Sequence, residues 1–132
     1  RLTLLDQSSL ADLLPAVRET GTRIVAAGVY NSGILANAQV PESAHYNYAE
    51  APVELLERAR QIAVITARHG LTLPEAAIQF CLAFDDVASV VIGTRTADHV
   101  TSAVQRYQAT APAQLWEELV AEGLLAALPN EF

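Results

Sequence analysis

Only two stretches of this chain read as β-strand, and helices separate them. Arg23 to Val29 (RIVAAGV) is a short apolar run rich in branched residues and bounded by glycine, the pattern of a strand buried on both faces, and Ala88 to Ile92 (ASVVI) reads as the second strand. The order helix, strand, helices, strand, helix is an alternating α/β pattern, which implies parallel strands joined by right-handed crossovers. Two parallel strands make a poor sheet, because their outer edges and much of their apolar surface stay uncovered. The pattern therefore calls for further strands, from a preceding segment or another chain. The sequence has no methionine and opens on Arg1, so the expectation is that something precedes it or was removed.

The helices follow from local signals. Leu10, Leu13, Leu14 and Val17 recur at helical spacing after the capping candidates Ser8 and Ser9, which predicts a helix over 9–19, kinked by Pro15 and ended by Gly21. Pro52 opens a second, with Leu55, Leu56, Ala59, Ile62, Ala63 and Thr66 on one face, and Gly70 stops it after His69. Thr72 and Glu75 match a capping box for a third helix over 73–84, with Ala76, Ala77, Phe80 and Phe84 as apolar members. Thr96 is placed to cap a fourth that uses Val100, Ala103, Val104 and Tyr107, and a last one over about 113–122 uses Leu115, Trp116 and Leu119. Residues 30–51 hold Asn, Ser, Gly and Pro with no sustained period, and a loop of that length in a compact domain is usually functional or mobile. No internal repeat or low-complexity segment is present.

Charge and composition narrow the function. With 132 residues and 52% hydrophobic content, the chain suffices for one globular unit and argues against disorder. A net charge of −7 leaves no basic surface for nucleic acid or anionic lipid, although a local anion site can exist on an acidic protein. The longest apolar stretches, such as Ile24 to Tyr30, fall far short of the roughly 20 residues that cross a bilayer, so a soluble protein is expected. The lone cysteine, Cys81, sits among Ile78, Leu82 and Ala83. A buried thiol in a reducing compartment, the cytoplasm by default, is the expectation.

Two segments carry candidate chemistry, each after a strand end, where parallel α/β folds place their ligand loops. In Gly28-Val29-Tyr30-Asn31-Ser32-Gly33 the glycines permit close backbone approach and Asn and Ser offer donors to phosphate oxygens. The same residues also make a plain Asn-Ser-Gly turn. Gly93-Thr94-Arg95-Thr96, with His99 three residues on, leads into a helix N-terminus. Backbone donors and the helix dipole favour an anion there, and Arg95 adds a permanent planar charge. A capped helix with a solvated arginine is the alternative. Because both segments follow strands of one parallel pair, they are expected on the same rim, which favours the functional reading of the two together.

At these residues a resemblance becomes specific. RLTLLDQSSLADLLP, VAAGVYNSGILA and VASVVIGTRTADHV resemble the C-terminal half of aldo-keto reductases, most like the aldose and fucose dehydrogenase group, over nearly the whole chain. The resemblance implies the C-terminal half of an eight-stranded (β/α) TIM barrel, with RIVAAGV as the seventh strand and ASVVI as the eighth. It implies NADP or NAD bound across the C-terminal rim and a sugar or aldehyde substrate. By the same carry-over, Gly28, Val29, Tyr30, Asn31, Ser32 and Gly33 match the loop around the pyrophosphate and nicotinamide ribose. Gly93, Thr94, Arg95, Thr96 and His99 match the part holding the adenosine end, with the 2′-phosphate contacts near Arg95, Thr96 and His99.

The chain departs from the family pattern in places. Where many members have Glu-Asn at the adenine, it has Ser102-Ala103, and the aromatic that often stacks on nicotinamide falls on Ala27, with Tyr30 nearby. The family's catalytic Asp, Tyr, Lys and His lie on strands of the N-terminal half, and this chain contains no lysine. No catalytic residue is assigned here, and the missing half-barrel, on the same or a separate chain, is the expected partner. His69 reads as a helix C-terminal residue, His45 as a loop residue, Asp85-Asp86 as a solvated turn and Trp116 as core. Tyr46 and Tyr48 are open between packing and lining a substrate pocket. No Cys, His or carboxylate spacing suggests zinc. Two functions follow: part of an oxidoreductase that transfers hydride between nicotinamide and a sugar or small aldehyde, or a non-catalytic half-barrel that binds nucleotide or phosphate or is structural.

Overall fold

The chain's structure, a computed structural model, describes residues 1–8 and 10–129. Its elements in order are α1 (Leu10–Thr20), β1 (Ile24–Ala27), β2 (His45–Tyr46), β3 (Ala49–Glu50), α2 (Val53–Arg68), α3 (Leu73–Leu82), β4 (Val87–Val91), α4 (Ala97–Gln108) and α5 (Ala113–Ala121). α1 runs through Pro15. Of its capping candidates, Ser9 lies outside the described residues, and the Ser8 hydroxyl instead donates to Asp6. Glu75 reaches back to the Thr72 N–H and hydroxyl, each at 2.7 Å, so the capping box expected for α3 forms.

β1 and β4 pair in parallel, with Val25 opposite Ser89, Ala26 opposite Val90 and Ala27 opposite Val91. The expectation that RIVAAGV is buried on both faces fails, and the second strand is no better covered. In β1 only Ala26 is buried while Val25 is 58% exposed, and in β4 Val87 is buried while Val91 is 53% exposed. The reason is geometric: α1, α2, α3 and α5 build the core on one side of the pair, and nothing described covers the other. That core packs Leu4, Leu10 and Leu14 with Ile62, Phe80, Leu115 and Leu119, all at most 1% exposed. Phe80 meets Phe84 and Trp116 edge-on at 5.2 and 5.9 Å between ring centroids. Cys81 is buried as expected: its thiol donates to the Leu2 carbonyl at 3.2 Å, and desolvation pushes its pKa up to about 12.

Side chains distant in sequence tie the helices down. Arg18 near the end of α1 grips Asp86 at 2.9 Å, so Asp86 is a pinned residue and not the solvated turn the sequence suggests. Glu118 of α5 holds both Arg68 at 2.7 Å and His69 at 2.5 Å, joining α5 to the end of α2. α4 is attached more loosely. It has no fully buried residue, and its Val100, Val104 and Tyr107 are all exposed. Among the described residues no helix is long and apolar enough to cross a membrane.

The long segment after β1 is not wholly irregular. β2 and β3 form a small antiparallel hairpin, His45 opposite Glu50 and Tyr46 opposite Ala49. Its two-residue turn has Asn47 and Tyr48 at φ 53° and 65°, the geometry of a type I′ turn that favours Asn-Gly. An exposed tyrosine in left-handed backbone costs about 1–2 kcal/mol, only part of which is offset by the larger chain entropy of a glycine there. Tyr48→Gly is therefore expected to stabilise the chain by about 0.5–1 kcal/mol, read as a rise of a few degrees in the thermal midpoint. An unchanged or lower midpoint would show that the Tyr48 ring contributes more than its backbone costs.

Candidate functional site

Parallel pairing decides where the candidate segments go. Ala27 and Val91 stand opposite each other at the ends of β1 and β4, so the chain leaves both strands on the same rim. Gly28, at φ 65°, turns the first segment. The turn is closed by Asn31 N–H to the Gly28 carbonyl at 3.0 Å, and by Gly33 and Leu35 N–H to the Tyr30 carbonyl at 3.1 and 3.0 Å. Asn31, Ser32 and Gly33 all lie in left-handed backbone, at φ 48°, 58° and 94°. On the second segment the Thr96 hydroxyl accepts the His99 N–H at 3.2 Å and starts α4 as expected.

The two segments meet in one cleft of about 360 Å³. Tyr30 lines it from the first and Gly93, Thr94 and Arg95 from the second, with Ala36 and Asn37 just after the first segment and Ile92 just before the second. His99, Ser102, Ala103 and Arg106 complete it along one face of α4. Of the sequence candidates, Tyr30, Gly93, Thr94, Arg95 and His99 thus come together. Gly28, Val29, Asn31, Ser32, Gly33 and Thr96 do not line the cleft. Val29 is core, 1% exposed. Asn31 is equally buried, and among the described residues its amide nitrogen and oxygen have no partner. Each such atom costs about 1–3 kcal/mol, which a bound polar group or water would relieve.

Arg106 is the charged cleft residue that sequence reasoning missed, along with Ala36, Asn37 and Ile92. Its Nη1 donates to the Tyr30 hydroxyl at 3.1 Å, and its Cζ lies 5.6 Å from the Tyr30 ring centroid. The available signal was helical spacing, since His99, Ser102, Ala103 and Arg106 recur at three- and four-residue steps on one face. Tyr46 turns out to be packing: its hydroxyl donates to Asp6 at 3.1 Å and Arg1 sits over its ring. Tyr48 stands in solvent, and neither tyrosine lines the cleft.

The donor set suits an anion. Among the described residues neither Arg95 nor Arg106 has a carboxylate partner within salt-bridge distance, in a chain whose net charge is −7. Asp98 lies in the same first turn of α4 but outside the cleft lining.

Known proteins place this architecture. The chain is 42% identical over 129 residues to a D-threo-aldose 1-dehydrogenase of a Pseudomonas species, a match covering 98% of this chain and 39% of that protein. It is 36% identical over 126 residues to a pyridoxal 4-dehydrogenase of Microbacterium luteolum, covering 96% of this chain and 36% of the relative. The holo form of an aldo-keto reductase from Bacillus halodurans superposes with a TM-score of 0.67 at 25% identity, over 95% of this chain and 41% of its own. The apo form gives 0.70 at 27%, over 96% and 44%. The chain thus spans well under half the length of the relatives it matches, and its parallel strands with outer helices are part of a (β/α) barrel. The model of the aldo/keto reductase family matches residues 1–121, and the chain belongs to that family.

Proposed function

We propose that this chain is the cofactor-holding C-terminal half of an oxidoreductase that uses NADP or NAD and acts on a sugar or small aldehyde. The observation that carries this reading is the shared cleft, in which Tyr30 from the end of β1 meets Gly93, Thr94, Arg95 and His99 from the end of β4. When bound, the nicotinamide gives or takes the hydride. This chain's own residues bind and orient. Arg95 holds a phosphate of the adenosine end, with His99 and the first backbone N–H groups of α4 beside it. By the resemblance, the turn from Gly28 to Gly33 runs beside the rest of the cofactor along the rim, with only Tyr30 of its residues lining the cleft and the unpartnered Asn31 amide buried behind it.

The chain offers no equipped proton donor for a carbonyl oxygen. It has no lysine, the Tyr46 hydroxyl is spent donating to Asp6, and the Tyr30 hydroxyl, which accepts from Arg106, stands in the cleft read as the phosphate site and not at a reacting carbonyl. The acid and its tuning groups belong to the rest of the barrel, on the same or another chain, as the resemblance implies. A lone, deeply buried thiol at Cys81 suits a protein of the reducing cytoplasm.

Arg95→Ala tests the reading. A charge-assisted contact is worth roughly 1.5–3 kcal/mol, or on the order of ten- to a hundredfold in affinity, and a 2′-phosphate feels it more than a ribose hydroxyl. Titration of the cofactors is expected to show a larger rise in Kd for NADP than for NAD. Equal weakening of both would assign Arg95 to loop support, and no change in either would return it to solvent.

A further inference from the structure

We propose that Arg106 is a ligand-holding cation of the cleft, oriented by the Tyr30 hydroxyl, and that the cleft takes a phosphate-bearing ligand between Arg106 and Arg95. The ligand class rests on the cofactor reading above, but the role of Arg106 rests on its surroundings.

Arginine carries five N–H donors. One of those on Arg106 goes to Tyr30 at 3.1 Å, and among the described residues none reaches a carboxylate. Its backbone is fixed as well. Gln79 of α3 donates to the carbonyls of Arg106 and Tyr107 at 3.0 and 2.9 Å, tying the last turn of α4 to α3. Arg106 is therefore held at its backbone by Gln79 and at its guanidinium by Tyr30 before any ligand arrives, which lowers the entropy lost on binding. One turn earlier the cleft wall is made of Ser102 and Ala103, side chains too short to fill the space in front of Arg106. A half-buried arginine without a counter-ion, lining an open space together with a second unpaired arginine, is a local anion site on an acidic molecule. Tyr30 acts through Arg106 as a positioning residue, and it ties the segment after β1 to the last turn of α4 across 76 positions of sequence.

The test is calorimetric titration of the full chain with inorganic pyrophosphate and, separately, with NADPH, at several salt concentrations. Arg106→Gln is expected to weaken pyrophosphate roughly tenfold and to flatten the salt dependence by about one charge. Arg106→Lys should restore the salt dependence while recovering only part of the affinity, because the planar fork is lost. Tyr30→Phe should cost less than Arg106→Gln and add nothing in the double variant. Unchanged pyrophosphate binding and salt dependence in Arg106→Gln, with a lowered thermal midpoint, would make Arg106 a structural tie and overturn the proposal. NADPH binding weakened by Arg95→Ala but indifferent to Arg106→Gln overturns it too, while leaving the cofactor reading intact. Arg106-dependent binding of pyrophosphate without any binding of NADPH supports the proposal and removes the cofactor reading. Absence of binding of either probe to the unaltered chain overturns both.

Discussion

Assayed with NADPH and small aldehydes, or with NAD and free sugars, this chain is expected to show no turnover above the uncatalysed rate. Hydride transfer to a carbonyl leaves an alkoxide that needs a proton, and a positioned donor is worth typically 10²–10⁴ in rate. No lysine is present to tune a tyrosine. The Tyr30 hydroxyl sits with Arg106 in the cleft read as the phosphate site, Tyr46 donates to Asp6, Tyr48 stands in solvent, and Tyr107 is exposed on α4. On the proposed reading, a nucleotide held by Arg95 and its neighbours is expected to meet no positioned acid within this chain. Mixing the chain with a segment that supplies the Asp, Tyr, Lys and His implied by the family resemblance is expected to bring turnover up from that baseline. The decisive measurement is absorbance at the nicotinamide band with chain free of any other barrel segment, where steady conversion of aldehyde would overturn the reading of this half as the binding half.

Light scattering on the purified chain is expected to show oligomers and not a monomer. β1 and β4 form a sheet of two strands, so each has one hydrogen-bonding edge that no described strand occupies. Val25 and Val91 project from the uncovered side of that pair. On α4, Val100, Val104 and Tyr107 are likewise exposed, and they border an open apolar groove of about 330 Å³ with Ile78, Val90 and Ile92. Burying such surface is worth roughly 25 cal/mol per Å², and a second copy or the rest of a barrel are both able to provide the cover. Added salt should strengthen apolar association, whereas an association held by ion pairs would weaken with salt. A monomer that unfolds in one cooperative thermal transition would show that the open face is tolerated in water and that the chain is a self-sufficient unit.

Much of the secondary structure was readable from local chemistry. Pro52 and Gly70 bracket α2, Thr72 and Glu75 start α3, and Thr96 starts α4, because caps, proline and positive-φ glycine act within a few residues of where they stand. The parallel pair was legible too, since strands separated by helices have few other ways to meet. The Asn47-Tyr48 turn was not, because a tyrosine hides a hairpin geometry normally announced by glycine.

What remained was decided by contacts between residues far apart in the chain. Apolar content cannot say which face of RIVAAGV is covered, as that depends on how many layers pack against it, and Val25 is left outside. Asp86 looked like a solvated turn residue until Arg18, 68 positions away, was brought beside it. Candidate residues Arg95 and His99 could be named from a strand end followed by a helix start. That they share one cleft with Tyr30, and that Arg106 belongs to it, is a consequence of the register between β1 and β4 and of the way Gln79 holds the end of α4. Local sequence thus determined the elements and the rim on which a ligand loop would fall, while the tertiary structure alone chose which charges stand there unpaired, because desolvation and pairing depend on neighbours that the chain order does not specify.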